Sequence, residues 1–179
     1  VKFKPYIIYT ALAAAFIYPV AGHWVWGVGG WLGQMGMLDF AGSSAVHAVG
    51  GWSSLAAVLV LGARTGKFKE DGSVNFLPPH NLHLAFLGTF ILWFGWFGFN
   101  AGSSLSGLDL NIGRIVVTTN LAAAAGGTVA ALFTMFRYGK ADPSMTMNGS
   151  LAGLAAITAG TAFVSPTCAV IIGMVAGIL

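Results

Sequence analysis

Charge is what this sequence has least of: aspartate, glutamate, lysine and arginine make up 7% of its 179 residues, with five acids against eight bases. A soluble domain carries roughly a quarter charged residues, so this chain cannot cover itself with polar surface. One cysteine, Cys168, excludes an internal disulfide. The five acids assemble into no paired carboxylates and no Ser–His–Asp arrangement, so an enzyme is not expected. His80 and His83 stand three residues apart without a carboxylate or cysteine in register, which argues against a metal site. The stretch Gly27-Val28-Gly29-Gly30 lacks the strand, helix and downstream acid of a dinucleotide fingerprint. No cofactor is expected.

What is present is apolar: 56% of residues are hydrophobic, and a mean hydropathy of +0.81 is spread along the chain. One anchor on a soluble domain cannot give that average. A bilayer core of about 30 Å needs roughly 20 apolar residues in a helix that satisfies its own backbone. Spans are expected near residues 5–27, 43–61, 81–103, 115–138 and 147–163, with a sixth beginning at Cys168. The fold class is therefore an all-α polytopic transmembrane bundle without a soluble domain. The last stretch runs for only about 18 Å at 1.5 Å per residue, too little to cross the hydrocarbon. Together with a start on Val1 rather than Met, this suggests an incomplete chain.

If the spans alternate, Lys2, Lys4, Arg64, Lys67, Lys69, Arg137 and Lys140 fall on one side and Arg114 on the other. The positive-inside rule places the Val1 end and the loops 64–80 and 137–143 in the cytoplasm of a multi-pass protein of the cell membrane. Scattered in this way, the bases are topology signals. They give no nucleic-acid surface.

Three groups of residues carry chemistry. On the third span Leu92, Trp96, Phe99 and Ser103 are separated by four, three and four residues and share one helical stripe. Such a stripe either lines a path or forms an interfacial aromatic belt. Trp26 ends the first span at the same outer face, where an indole is an interfacial anchor or, beside a hydroxyl such as that of Ser103, one half of a cation site. Asp39 suits a helix N-cap. His47 follows eight residues later, about 10–12 Å further along if the helix starts at Asp39. It is either tied between helices or part of an ion or proton path.

Asp39–His47 reads DFAGSSAVH and Gly95–Ser103 reads GWFGFNAGS. Both resemble signature segments of the Amt ammonium transporters. The Tyr18–Trp26 and Pro79–Leu82 stretches are similar to the same family, so the resemblance covers essentially the whole chain. It implies a partial Amt-type channel fold, from about the fourth span to the ninth, with ammonium or ammonia as cargo and a lipid bilayer as surroundings. It further implies an outer recruitment site at Trp26 and Ser103, a phenyl gate at Phe99, a conduit lined by Trp96, the first of twin pore histidines at His47, and a vestibule acid at Asp39. The second histidine and second gate ring would lie outside these residues. A homotrimer and a PII-type signalling partner on the cytoplasmic face also follow from the resemblance. An ammonium sensor, with the same membrane domain wired to a cytoplasmic output module, is the alternative. An Rh-type gas channel fits the two motifs less well.

Overall fold

Helix ends in this chain are set by a few side chains that take up backbone groups the helices cannot pair. In the computed structural model, which describes residues 2–179, Asn81 Oδ1 accepts from Leu84 N (2.9 Å) and starts α5 (Leu82–Gly102). Asp142 Oδ1 accepts from Met145 N (2.9 Å), with Pro143 in the first turn, and starts α7 (Pro143–Ile157). Ser165 and Pro166 do the same for α8 (Pro166–Ile178). The long α6 (Ile112–Tyr138) stops at Gly139, whose φ of 78° suits a residue without Cβ and lets its N–H return to Met135 O.

Earlier in the chain, α1 (Phe3–Leu12) runs through a π-helical stretch, Ala13–Ile17, into α2 (Tyr18–Trp26), and the short α3 (Trp31–Gln34) follows. A second π-helical stretch, Ser43–Ala48, opens α4 (Val49–Leu61). Among the described residues, four segments are long and apolar enough to cross a membrane: Phe3–Gln34, Ser43–Leu61, Leu82–Gly102 and Ile112–Tyr138. Helices α7 and α8, with 15 and 13 residues, are shorter than a full crossing. Apart from one isolated bridge between Phe68 and Val74, no β-pairing occurs among the described residues.

The chain divides into two units. The first comprises Val1–Met37 and Ser44–His80, the second Leu38–Ser43 and Asn81–Leu179. In the first, α1 and α4 border an apolar groove of about 530 Å³ lined by residues such as Tyr6, Tyr9, Ala57 and Leu61. In the second, α6, α7 and α8 pack against one another and α5 lies on α6 and α7. The approach there is close. A Cβ at Gly153 would overlap the Ala122 carbonyl, and one at Gly126 the Gly149 carbonyl. Small residues let these backbones meet, which substitutes for the hydrophobic drive that lipid removes.

The helix expected over residues 147–163 begins four residues earlier and ends six residues earlier. Its end coincides with bonds from a distant segment. Phe40 N and Ala41 N donate to Ala159 O and Thr158 O, Ser43 Oγ donates to Ala155 O (2.7 Å), and Ala159 N donates to Ser43 Oγ (2.7 Å). Backbone groups engaged in this way are not free to propagate a helix.

Candidate functional site

Two turns of α5 hold the aromatic stripe, and each is tied to a hydroxyl on another element of the second unit. Trp96 donates its Nε1–H to Thr158 Oγ1 (2.9 Å), and Thr158, fully buried, passes its own proton to Leu154 O (2.7 Å). The Trp96 and Phe99 rings lie 5.6 Å apart between centroids, tilted by 38°. Such offset ring pairs hold one another's orientation. Phe99 is 39% exposed and lies beside a Trp96 ring that is anchored.

One residue further, Asn100 is fully buried and its Nδ2 donates to Thr119 Oγ1 (2.9 Å) on α6. Thr119 meets Thr161 Oγ1 (3.1 Å), and Thr161 meets Thr118 Oγ1 (2.9 Å). Ser103, at the end of the helix, donates to Phe99 O (2.7 Å). With its proton committed to that carbonyl, the Ser103 oxygen offers lone pairs to a donor, which suits recognition of an N–H cation.

Asp39 is buried and its Oδ1 accepts from Gly42 N (2.7 Å) and Ser43 N (3.0 Å). The carboxylate thus closes the turn that leads into the helix at Ser43, while the neighbouring Phe40 ring meets Phe163 edge-on at 6.0 Å. Residues 39–42 are not helical. His47 therefore stands four residues into its helix, about 6 Å along it rather than 10–12 Å. It sits within the π-helical stretch Ser43–Ala48 and is half-buried. Single π-turns are often found at functional positions, because the extra residue re-aims the side chains around it.

Trp26 is the last residue of α2 and 45% exposed. The chain turns sharply after it: Gly27 N returns to His23 O (2.9 Å), and a Cβ at Gly27 would strike the His23 imidazole. Trp24 packs edge-on against Trp31 at 6.0 Å, bracing the same turn. Trp96, Phe99, Ser103 and Asp39 belong to the second unit, whereas Trp26 and His47 belong to the first. Among the described residues no cluster of three metal-ligating side chains occurs.

The residues that the sequence reading passed over are the polar ones inside apolar helices: Asn100, Thr119, Thr158, Thr161 and Ser43. Their signal was available, since every amide or hydroxyl placed in a lipid-spanning segment must find a partner. Stripe spacing drew attention to the rings and away from their anchors.

Four long apolar helices, further helices that pack through glycine, alanine and threonine, and buried polar pairs between them define a polytopic α-helical membrane protein. The chain belongs to the ammonium transporter family, whose model matches residues 1–179. It is 53% identical to the ammonium transporter Amt2 of Archaeoglobus fulgidus over 99% of its own length and 40% of the relative's. Among solved structures it is similar to a sensor Amt protein, with a TM-score of 0.94, 45% identity, and 99% of this chain against 45% of that one. It is also similar to Mep2 of Candida albicans, with a TM-score of 0.89, 35% identity, and 99% of this chain against 39% of that one. The chain thus spans about two fifths of the length of such relatives.

Proposed function

We propose that the full-length protein moves ammonium or ammonia across a membrane, and that this chain supplies the outer recruitment site and part of the conduit. The observation that carries the reading is on α5, where an anchored pair of rings, Trp96 and Phe99, leads to a Ser103 hydroxyl whose free valence is acceptor only. Ammonium and potassium are similar in size, so an open hole cannot separate them. Ammonium differs in donating directional hydrogen bonds and in being able to lose a proton. A ring face at Trp26 exploits the first difference by cation–π attraction, and an acceptor at Ser103 exploits it by a hydrogen bond. An apolar passage gated by Phe99 and lined by Trp96 exploits the second, because it penalises a bare charge and favours the neutral species. His47 handles ammonia or its proton, since an imidazole both accepts and donates near neutral pH. Asp39 holds the turn before His47 through backbone N–H groups.

We place the Val1 end and the loops 64–80 and 137–143 on the cytoplasmic side on the charge distribution. A homotrimer, a PII-type partner on that side and the absence of any catalytic step belong to the same reading. The similarity to a sensor Amt protein supports a second reading, in which the membrane domain reports ammonium to an output module. A kinase or cyclase following the last span in the full reading frame favours sensing.

The test is electrophysiology on the reconstituted full-length protein, comparing ammonium and potassium currents at several pH values. Wild type is expected to conduct ammonium and exclude potassium, and Trp26→Leu to weaken apparent ammonium affinity by about thirtyfold, the scale of one desolvated cation–π contact. His47→Asn is expected to alter rate, selectivity or pH profile. Identical profiles in wild type and His47→Asn rule out the pore role.

A further inference from the structure

Asn100 makes an unusual linkage. Its Nδ2 donates to Thr119, while its Oδ1, buried with the rest of the side chain, has no hydrogen-bond partner among the described residues. Reversing the amide would let the oxygen accept from Thr119 and leave Nδ2 bare instead, so either orientation strands one group. A stranded buried acceptor is destabilising, and one in a native fold calls for an explanation. The other end of the linkage is well made. Thr119 Oγ1, which receives the amide proton, lies 3.1 Å from Thr161 Oγ1; Thr161 Oγ1 lies 2.9 Å from Thr118 Oγ1, and Thr118 Oγ1 reaches Thr161 O (2.9 Å), Ile115 O and Arg114 O (both 3.1 Å). The three hydroxyls form one connected group that joins α6 to the turn after α7.

Asn100 directly follows Phe99 and sits one turn beyond Trp96. Trp96 is fixed on Thr158 and Asn100 on Thr119, so α5 is pinned at two heights by side chains four residues apart. Two tethers on one stripe fix a helix in rotation as well as in position, which one tether or general apolar packing does not. We propose that Asn100 is a positioning residue: through Thr119 and Thr161 it sets the rotation of α5, and thereby the angle at which the Phe99 ring and the Ser103 oxygen face the permeation path. The proposal rests on the transport reading above.

Thr119 gives the sharper test, because Thr119→Val keeps the shape and removes the acceptor, while Thr119→Ser keeps the acceptor and removes a methyl. In full-length protein reconstituted at equal assembled amounts, Thr119→Val is expected to lower the ammonium-to-potassium permeability ratio about tenfold, and Thr119→Ser to leave it within about twofold. Asn100→Leu is expected to match Thr119→Val. Wild-type selectivity in an assembled Thr119→Val protein overturns the proposal, as does an equal loss in Thr119→Val and Thr119→Ser. If Thr119→Val does not assemble, Thr119→Cys replaces it, since cysteine is close to serine in size but a weak acceptor. A ratio for Thr119→Cys well below that of Thr119→Ser supports the proposal, and equal ratios overturn it. A wild type that carries no ammonium defeats the transport reading itself and is recognised before any variant is compared.

Discussion

Span Phe3–Gln34 of the first unit and α6 of the second have comparable apolar windows, yet none of the first window is buried inside the structure and 44% of the second is. Hydropathy does not separate them. What differs is side-chain size and the placement of hydroxyls. The first span presents Phe3, Ile8, Leu12, Phe16 and Val20, all exposed, whereas α6 buries Thr118, Thr119, Ala122, Ala123, Gly126 and Gly127. In lipid a large apolar side chain gains little by facing protein, and a glycine or threonine gains close packing and a partner. Surfaces left bulky therefore face lipid or another chain segment, and surfaces left small face their own unit.

Equal enlargements should break this comparison most visibly. Gly153→Leu drives a side chain into the Ala122 carbonyl and should destabilise the second unit by about 3 kcal/mol or more. Gly50→Leu on α4, where a Cβ meets nothing within 4 Å, should stay within about 0.5 kcal/mol. Unfolding of the full-length protein in a graded denaturing detergent measures both. A loss at Gly50 as large as that at Gly153 would show that a further segment packs on α4.

A smaller effect is expected where a single hydroxyl joins distant parts of one unit. Ser43 Oγ accepts from Ala159 N and donates to Ala155 O, across more than a hundred residues of sequence. Ser43→Ala strands the Ala159 amide and should cost about 1–3 kcal/mol. Thr10→Ala on α1 removes only a bond back to Tyr6 O on the same exposed helix and should cost a few tenths. The same detergent series compares them, and equal losses would mean that long-range and local hydroxyls are worth the same here.

This contrast also explains what was legible in the sequence. The existence and class of the long helices follow from hydropathy, which measures transfer into lipid, and the family follows from the Asp39–His47 and Gly95–Ser103 motifs. The end of α7 at Ile157 was not legible, because its carbonyls are met by donors from residues 40–43, and no local pattern announces so distant a partner. Nor were the π-helical stretches, since one extra residue in a turn leaves hydropathy unchanged. The stripe of Trp96, Phe99 and Ser103 was read from spacing alone. Its anchors at Thr158 and Thr119 require knowing which helix lies alongside.

The smallest expected effect concerns the loop between α4 and α5, where order is made locally. Ser73 N donates to Asp71 Oδ1 (2.8 Å), Asn75 Nδ2 donates to Gly66 O (3.0 Å), and Lys69 N and Asn75 N close the turn on Ser73 O and Lys67 O. The Ser73 hydroxyl and amide hold the Asp71 carboxyl below its ordinary value of 3.8. A carboxyl with a lowered folded value stabilises the turn above its unfolded pKa and loses that contribution as pH falls through the lowered one. Between pH 5 and 9 the loop should therefore be indifferent to pH, and only below the usual carboxylate range should protection of the Ser73 amide decline. Asp71→Asn retains an acceptor oxygen and should keep most of that protection at pH 7 while abolishing its acid dependence. Asp71→Ala should lose it at every pH. Hydrogen exchange at Ser73, followed in the full-length protein from pH 7 down to pH 3, distinguishes the three. Protection that survives Asp71→Ala would mean that this turn is held by contacts from beyond the loop, as the helices of the second unit are, and would erase the local character that sets the two regions apart.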